Sequence, residues 1–357
     1  MKIIHLNIRN LRIIEEAEIS PSSHINLIIG TNGSGKTTLL EAIYLLARAK
    51  SFRTNKASPL LRYGQQNLLI SARLENKQNS SSTIGITKTN KETEIKVSGK
   101  RQSKLSELAK QLPLVIVTPD VNRIIEEGPE IRRRLLNWGV FHVEQNYSKE
   151  VLRYNRVLGQ RNSSLKQYDG NSSYWDRILS SIGETLSEKR QNYIKAWESL
   201  IKKNSKPYAF LDGLSIKLKQ GWPENSTYID ALTTRLESDK SQGFTTLGPH
   251  RADLKITLNG VQARDCLSRG QIKILSTILL FSQADLIQNI LGDEPILLID
   301  DIQAELDRST KEQFLTDIYK RSFQTFITST DYDMFTGLNL DARMFHVEHG
   351  QISVADH

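Results

Sequence analysis

Residues 30–37 read GTNGSGKT, a glycine-rich segment that ends in a lysine and a threonine. It follows the apolar run Ile25–Ile29 and precedes a run with helical spacing at 37–49. Glycines let successive backbone N–H groups converge on an anion, and the following helix N-terminus favours negative charge. The lysine can bridge two phosphates and the hydroxyl after it can ligate Mg²⁺. The segment therefore predicts a nucleotide site for ATP and Mg²⁺. Its expected binding residues are Gly30, Thr31, Asn32, Gly33, Ser34, Gly35, Lys36, Thr37 and Thr38.

Two carboxylates end the apolar run at 296–299. A metal beside a triphosphate needs a carboxylate, so Asp300 is expected to hold Mg²⁺ together with Thr37. Asp301 is placed to orient or deprotonate the attacking water. Two solvated carboxylates at a strand end are a common alternative, which the phosphate-binding segment disfavours. Lys36, Asp300 and Asp301 are thus the candidate catalytic residues.

A third motif, LSRGQ at 267–271, precedes the apolar run at 271–290. Ser-x-Gly before a helix is often an ordinary N-cap. The order of phosphate loop, LSRGQ, the two aspartates and AELD at 304–307, however, resembles the ATP-binding-cassette superfamily. That resemblance implies that Ser268, Gly270 and Gln271 grip the γ-phosphate of a nucleotide held by a second subunit. It also implies that Asp307 lies in a dimer-contacting loop.

Two features of transporter-type members of that superfamily are replaced in this chain. Residues 118–120 read TPD where those proteins carry a glutamine, and residues 329–331 read STD where they carry a switch histidine. Slow hydrolysis is therefore expected, with ATP binding as the working step. His250, in GPHRADL, is expected to be a structural or phosphate-facing neighbour and not a base.

The elements that must position these motifs divide the chain into three parts. Residues 1–120 alternate like strands at 2–8, 25–29, 67–74, 93–97 and 114–117. Residues 121–247 change to helical spacing, and from 248 strand-like runs alternate with helices at 271–290 and 308–319. The pattern predicts an α/β head, formed by 1–120 and 248–357 and split by an inserted, mostly helical arm. With the motifs, it resembles a P-loop ATPase head of ATP-binding-cassette type.

Length and composition set outer limits. With 357 residues, 38% hydrophobic and 25% charged, the chain is long enough for two folded domains and is not a disordered composition. No stretch approaches the roughly 18 apolar residues of a membrane span, and the N-terminus lacks a signal-peptide pattern. A single cysteine, Cys266, cannot form an internal disulfide. A cytoplasmic protein without membrane partners is expected.

The net charge of +8 is concentrated in one segment, because residues 100–206 hold 20 Lys and Arg against 12 Asp and Glu. A basic segment of this kind favours a polyanion such as DNA. Three adjacent arginines at 132–134 point to different sides of a helix, so at least one is expected to pair with a carboxylate such as Glu130. Tyr147 and Tyr154 are expected in the core. The candidate DNA-binding residues are Arg132, Arg133, Arg134, Arg153, Arg156 and Arg161.

End to end, the chain resembles the bacterial RecF family of recombination and repair proteins. The matching segments are IRNLRIIEEAEI at 8–19, GTNGSGKTTLLEAIY at 30–44, SFRT at 51–54, TPD at 118–120, GPEIRRRLLNWGVFH at 128–142, QRNSSLK at 160–166, GPHRADL at 248–254, LSRGQIK at 267–273 and LIDDIQAELD at 298–307. The resemblance implies ATP-driven dimerisation on single- and double-stranded DNA at gaps and stalled forks, with hydrolysis for release. It implies RecR and RecO as partners and RecA as an indirect one. It also implies that Arg12 lies near the nucleotide, as do Arg53 and Arg62.

Two other classes remain open at this point. The ATPase subunit of a membrane transporter would share the head, but the replaced glutamine and histidine and the segment at 128–142 weigh against it. A chromosome-organising or nuclease-associated ATPase requires a long coiled coil between the two halves of the head. The roughly 125 residues available lack sustained heptads and are too few.

Overall fold

The chain forms two compact units in the computed structural model, which describes residues 1–102, 105–167, 172–301, 308–331 and 342–355. The first unit comprises Met1–Asp120 and Gly292–His357, and the second is Val121–Leu291. The second unit thus starts where the helical arm was expected to start. It ends at Leu291 and not at 247, so the segment with LSRGQ packs with the arm. The assignment of 248–291 to the ATPase head stays a prediction.

The strands are β1 (Lys2–Leu11), β2 (Ile14–Ile19), β3 (Ile25–Ile29), β4 (Asn67–Glu75), β5 (Ser81–Thr89), β6 (Thr93–Val97), β7 (Lys100–Arg101), β8 (Leu114–Val117), β9 (Leu214–Lys219), β10 (Asp253–Leu258), β11 (Val261–Gln262), β12 (Ile296–Asp300), β13 (Thr325–Ser329), β14 (Ala342–Glu348) and β15 (Gln351–Val354). The helices are α1 (Lys36–Arg48), α2 (Leu105–Gln111), α3 (Arg123–Glu126), α4 (Pro129–Val143), α5 (Tyr147–Gln167), α6 (Ser172–Ser205), α7 (Tyr228–Thr234), α8 (Leu236–Gln242), α9 (Ala263–Cys266), α10 (Arg269–Leu291) and α11 (Arg308–Tyr319).

One sheet of the first unit is antiparallel, in the order β2-β1-β4-β5-β6-β7. Strand β4 shows the alternating pattern of this sheet. Its residues Leu68, Ile70, Ala72 and Leu74 are buried, and the residues between them are exposed or half-buried. Such alternation gives a sheet with one face on a core. The core cluster holds these four residues together with buried side chains of α1.

The second sheet of the first unit has the order β15-β14-β3-β13-β12-β8. Strands β14, β3, β13, β12 and β8 are parallel neighbours, and β15 pairs antiparallel with β14. All five residues of β12 are buried, as its continuous apolar run predicts for a covered parallel strand. The carboxyl ends of parallel strands meet at one edge, where ligand sites of such sheets form. The phosphate loop follows β3 and the two aspartates end β12 at that edge.

Helix α1 is held between the two sheets. It contacts β1, β4 and β5 of the antiparallel sheet and β12 and β13 of the parallel one. Ten of its 13 residues are buried, which is the pattern of a helix covered on most sides. Burial on both faces fixes the direction of its N-terminus, and therefore the direction of the phosphate loop.

The second unit is mostly helical, as expected, and its 34-residue helix α6 contacts α4, α5, α7 and α10. The strand β9 was not predicted, although LSIKLK alternates and pairs with β10. The expectation about apolar stretches also needs correction, because α10 is long and apolar enough to cross a membrane by composition. Some 67% of that window is buried inside the protein, so a core helix accounts for its composition.

Candidate functional site

The segment 30–37 forms a tight loop between β3 and α1. Gly33 and Gly35 have φ values of 79° and 118°, the left-handed region that glycine adopts at little cost. A Cβ atom at Gly30 would lie 2.2 Å from the carbonyl oxygen of Val347. The loop therefore needs glycine for its conformation at two positions and for space at the third.

The N-terminus of α1 is open to an anion. Its N-cap residue, Gly35, provides no side-chain hydrogen bond, and its first turn contains no acidic residue. The first backbone N–H groups of a helix carry a partial positive charge that such caps and carboxylates would otherwise satisfy. Phosphate oxygens are the groups that this end of α1 would attract.

The side chain of Lys36 lies against the loop. Its Nζ donates to the carbonyl oxygens of Gly30 and Thr31 at 2.7 and 2.9 Å. Burial lowers the pKa of Lys36, while the negative charges of Asp301 and Asp300 act in the opposite direction. The positive charge of the ammonium group can therefore interact with phosphates bound at the loop and with the carboxylates of Asp300 and Asp301.

Thr37 and Asp300 meet although they are far apart in sequence. Thr37 Oγ1 donates to Asp300 Oδ1 at 2.8 Å, and Thr328 Oγ1 donates to the same oxygen at 2.8 Å. A hydroxyl and a carboxylate are oxygen ligands of the kind that Mg²⁺ prefers, and they fit the two expected protein ligands. Among the residues that the structure describes, no group of three or more His, Cys, Asp or Glu could hold a metal. The protein thus offers a partial shell, which phosphates and waters would complete.

The two aspartates at the end of β12 differ in their surroundings. Burial raises the pKa of Asp300, and hydrogen bonds from Thr328 and Thr37 offset part of this effect. Asp301 is half-buried with φ 38°, and its N–H donates to Thr328 Oγ1 at 3.0 Å. The left-handed φ ends the extended strand at Asp301, and the charge of Asp301 contributes to raising the pKa of Asp300.

Arg12 lies at the turn between β1 and β2, where its φ is 49°. Its Nη2 donates to Glu41 Oε1 at 2.9 Å and its Nε donates to the other carboxylate oxygen. Glu41 belongs to α1, one helical turn beyond Thr37. The structure therefore brings Arg12 to the first turns of the helix that carries the phosphate loop.

The LSRGQ segment forms a capping box at the start of α10. The N–H of Ser268 donates to Gln271 Oε1 at 2.9 Å, and the N–H of Gln271 donates to Ser268 Oγ at 3.4 Å. Gly270 lies in the first turn of the same helix. Within this chain the segment therefore caps a helix, and its contact with a second subunit's nucleotide stays a prediction. Asp307 and the rest of AELD lie outside the described residues.

The arginines at 132–134 are held by partners within the second unit. Arg132 is buried and donates through Nε and Nη2 to the two carboxylate oxygens of Asp253, at 2.7 and 3.0 Å. Arg133 donates to the carbonyl oxygen of Ala252 at 2.8 Å. Arg134 is exposed and lies 3.1 Å from Glu130, which confirms the expected pairing. The prediction that Arg132 contacts DNA is wrong, because its guanidinium is buried and already paired.

Arg161 gives the second correction. It is fully buried, donates to Asp176, and donates through Nη1 to Asp239 at 2.7 Å and Thr245 at 2.8 Å. A guanidinium inside the protein cannot reach a phosphate backbone. Arg153 and Arg156 are exposed on α5, and both remain candidates for DNA contact.

A cavity of about 680 Å³ in the first unit is rich in cations. Its charged lining residues, among those described, are Lys50, Lys56, Lys88 and Arg101, and no carboxylate lines it. We call it the head cavity. Burial and the charge of Lys50 both lower the pKa of Lys88, so the cations are close enough to repel one another. An anionic ligand would relieve this repulsion.

The remaining residues that the sequence singled out make contacts that stabilise the fold. His250 lies between the hydroxyl of Tyr154 at 2.8 Å and the carbonyl oxygen of Thr245 at 3.1 Å, and burial lowers its pKa to about 4. It is thus neutral and structural. Tyr147 and Tyr154 are 2% exposed, as expected for core residues. The carbonyl oxygen of Ser329, in the segment that replaces the switch histidine, accepts from the N–H of Gly30 at 3.3 Å.

Sequence reasoning missed two residues of the nucleotide region. Thr328 lies opposite Asp300 in the register of β12 and β13, a relation that only the sheet order reveals. Glu41 left a visible signal, since it is the one acidic residue in the apolar helical run KTTLLEAIYLLAR. A charge at a buried helix position generally has a charged or hydrogen-bonding partner.

The chain is similar to known proteins over nearly its whole length. The family described as the RecF/RecN/SMC N terminal domain matches residues 2–353. The DNA replication and repair protein RecF of Pseudomonas entomophila is 34% identical over 360 residues, which cover 99% of this chain and 98% of that protein. RecF of Hahella chejuensis is 37% identical over 371 residues, with 99% of each chain covered.

A solved structure gives the same result at the level of the fold. A RecF structure with ATP, described as a recombination mediator protein in the RecFOR pathway, has a TM-score of 0.88 and 27% sequence identity. The match covers 99% of this chain and 98% of that one. The expected fold, a P-loop ATPase head split by a helical arm, is confirmed, and the transporter-subunit alternative finds no support among these relatives. This chain belongs to the RecF family, within the wider group of RecF, RecN and SMC N-terminal domains.

Proposed function

We propose that this protein is an ATP-operated DNA-binding protein of replication and recombinational repair. It binds ATP and Mg²⁺ at the phosphate loop, dimerises in the ATP-bound form on DNA with single-strand gaps, and hydrolyses ATP slowly for release. With RecO and RecR it assists the loading of RecA, in the cytoplasm and without a membrane partner. The relatives' names support the repair role, and the solved RecF structure supports ATP as the nucleotide.

The observation that carries the nucleotide part is the 2.8 Å hydrogen bond between Thr37 and Asp300. It joins the two motifs that a Mg²⁺-nucleotide site requires, at the edge of the parallel sheet where ligand sites form. Lys36 provides positive charge beside them. In the reaction, Asp301 would orient the attacking water while Lys36 and the loop N–H groups stabilise charge on the phosphates. Mg²⁺, when bound, supplies a further positive charge against the developing negative charge.

Slow turnover follows from the groups around this site. Aspartate at 301 has a shorter side chain than the glutamate that many ATPases place there, so its reach to a water is less. No histidine stands in the segment 329–331. An ATPase with a weak base suits a switch, in which binding drives one state and hydrolysis resets it.

Dimerisation is proposed to place Ser268, Gly270 and Gln271 of one protomer against the nucleotide of the other, with Asp307 in the contacting loop. Ser268 is exposed at the N-terminus of a 23-residue helix. Backbone N–H groups at such an end favour an anion. The capping box occupies the N–H groups of Ser268 and Gln271, and neither of its side chains adds a negative charge that would repel a phosphate.

DNA binding is best supported by the exposed cations. The head cavity brings together exposed Lys50 and Lys56, half-buried Lys88, and Arg101, whose Nε lies 3.9 Å from Glu94. Arg153 and Arg156 add exposed charge on α5. Contacts between such cations and phosphates release counterions and give affinity that is independent of base sequence. We place the main DNA contact at the head cavity.

The replacement Lys36→Ala tests the nucleotide switch. We expect wild-type protein to become a dimer when ATP and Mg²⁺ are added, and the variant to stay monomeric, because it loses the charge that holds the phosphates. Size-exclusion chromatography with light scattering measures the mass. Lys203→Ala removes an exposed lysine of α6 as a matched control and should dimerise normally. Dimers without nucleotide, or ATP-dependent dimers of Lys36→Ala, would contradict the proposal.

A further inference from the structure

The small sheet of the second unit has two faces of opposite composition. Its strands lie in the order β11-β10-β9, and neighbours pair antiparallel. Alternate side chains of a strand point to opposite faces of a sheet, so the register assigns each residue to a face. One face has only apolar side chains, which are Leu214, Ile216, Leu218, Leu254, Ile256, Leu258 and Val261. Helix α6 contacts β9 and helix α4 contacts β10, as expected for a sheet that packs one face on a core.

The other face of this sheet has only polar side chains. Its members are Ser215, Lys217, Lys219, Asp253, Lys255, Thr257 and Gln262. The three lysines, Lys217, Lys219 and Lys255, are exposed. We call these three residues the lysine face. An exposed sheet face is normally polar, but here every exposed charge has the same sign.

Two of the lysines are directly opposite each other. Lys217 of β9 and Lys255 of β10 are register partners, so their Cβ atoms are roughly 5 Å apart. Like charges at such positions destabilise a pair of strands. Residues that lower the stability of a fold are typical of binding sites, where function and stability compete. The pair therefore points to a ligand outside the sheet.

No carboxylate within the described part of the chain neutralises the lysine face. Lys219 is the register partner of Asp253, but both carboxylate oxygens of Asp253 accept from Arg132, at 2.7 and 3.0 Å. None of the three lysines forms an ion pair with another described residue. Their positive charges thus remain available to an anion that approaches from solvent.

We propose that the lysine face is a second DNA contact, which binds phosphates of the backbone independently of base sequence. The inference rests on the proposed DNA binding and adds a site to the contact at the head cavity. A lysine ammonium is a compact cation with three donors, which suits phosphate oxygens. A phosphate bound between Lys217 and Lys255 attracts both, and so offsets the repulsion between them. The lack of apolar side chains on this face favours nucleic acid over a protein partner, because the centres of protein interfaces are apolar.

The test is the salt dependence of DNA affinity in the full-length protein, measured with a gapped duplex in the presence of ATP and Mg²⁺. For Lys217→Gln/Lys255→Gln we expect about 10-fold weaker binding at low salt. The slope of log affinity against log salt should fall by about 2, roughly one unit for each lost phosphate contact. Lys217→Gln alone should reduce the slope by about 1. Duplexes of unrelated base sequence should lose the same affinity, because phosphate contacts do not read bases.

The matched control removes two positive charges elsewhere in the second unit. Lys195 and Lys203 are exposed on α6, and Lys195→Gln/Lys203→Gln should keep the slope of wild type. A wild-type slope in the lysine-face variant would overturn the inference and leave this face to an acidic protein surface. An equal fall in the control would also overturn it, because the effect would then come from net charge and not from a site.

Thermal unfolding without DNA gives a second test. Lys217→Gln should raise the melting temperature by about 1–3 °C at low salt, because it removes the like-charge pair. The increase should shrink as salt screens the repulsion. Adding Lys255→Gln should change little more, since the first substitution already removes the repulsion. A lower melting temperature in Lys217→Gln would show that this lysine stabilises the sheet, and would overturn the inference.

Failure of this inference is distinguishable from failure of the proposed function. If wild-type protein does not bind the gapped duplex, or binds it with an affinity that is independent of salt, the proposed DNA binding itself is wrong. If wild-type binding weakens with salt while the lysine-face variants bind like wild type, only the second contact is wrong.

Discussion

Two arginines of the second unit, Arg132 and Arg161, and two lysines of the head cavity, Lys50 and Lys56, carry the same charge in opposite surroundings. Arg132 and Arg161 are buried and paired with aspartates. Lys50 and Lys56 are exposed, and neither has an ion-pair partner in the part of the chain that the structure describes. The two regions show that a surplus of Lys and Arg in a sequence does not locate a DNA-binding surface, because pairing decides which cations remain available.

The physical reason is the free energy needed to replace the existing partner of a cation by a phosphate. A buried guanidinium has already lost its water and regained that free energy from its carboxylates, so a phosphate would have to break an existing pair. An exposed lysine has no pair to break, and its contact with a phosphate releases counterions condensed on the DNA, which favours binding. The net charge of residues 100–206 counts buried, paired cations and exposed cations equally.

The largest effect that this contrast predicts is a loss of stability in the variant Arg161→Met. Removing the guanidinium leaves Asp176 and Asp239 buried without their partner, which should lower the free energy of unfolding by about 3–5 kcal/mol. Denaturant unfolding followed by tryptophan fluorescence measures the loss. Arg153→Met removes an exposed arginine of the same helix and should stay within about 0.5 kcal/mol of wild type. Equal stabilities of the two variants would remove the distinction between paired and available arginines.

A smaller effect is expected from the pH dependence of the second unit. Burial lowers the pKa of His250 from 6.5 to about 4, so the unfolded chain binds this proton more readily than the folded protein. The free energy of unfolding should therefore fall as the pH drops from 6.5 towards 4, by roughly 2 kcal/mol after allowance for partial exposure, and should not depend on His250 above pH 6.5. Urea unfolding of wild type and of His250→Gln at several pH values isolates the contribution of His250 to the pH dependence of the free energy of unfolding. An identical slope in both proteins would show that the histidine is not held neutral.

The smallest effect is expected from Arg134→Ala. Its pair with Glu130 is exposed at both ends, with 67% and 75% of the two side chains accessible, and such pairs contribute about 0–1 kcal/mol. Thermal unfolding should change little. A loss of several kcal/mol would show that exposed pairs of this helix are structural as well, and the contrast with Arg161 would disappear.

The sequence predicted the parts of the site that are contiguous. The loop at 30–37 and the aspartates at 300 and 301 each follow a buried strand directly, so local pattern and chemistry agree. Thr328 could not be found this way, because its contact with Asp300 depends on which strands are neighbours. Likewise, the pairing of Arg132 with Asp253 joins residues 121 positions apart, and no local pattern reveals it.

The fold was predictable to a similar extent. The helix expected at 37–49 and the strand expected at 25–29 correspond to α1 and β3. The end of the inserted unit was harder to predict, because the strands and the core helix of 248–291 have the same sequence patterns as the strands and helices of the head. Its placement with the arm follows from packing, in which β10 pairs with β9 and α10 contacts α6.

The central claim, that the cations of the head cavity carry the DNA contact, is tested most directly by the salt dependence of DNA affinity. Binding of a gapped duplex in the presence of ATP is measured from low to physiological salt for wild type, Lys50→Ala/Lys88→Ala and Arg153→Ala/Arg156→Ala. We predict that the cavity variant binds more weakly, with the slope of log affinity against log salt reduced by about 2, roughly one unit for each lost phosphate contact. ATP affinity should stay normal in both variants. A cavity variant with the slope of wild type, together with a reduced slope for the α5 variant, would contradict the claim and place the contact on the arm.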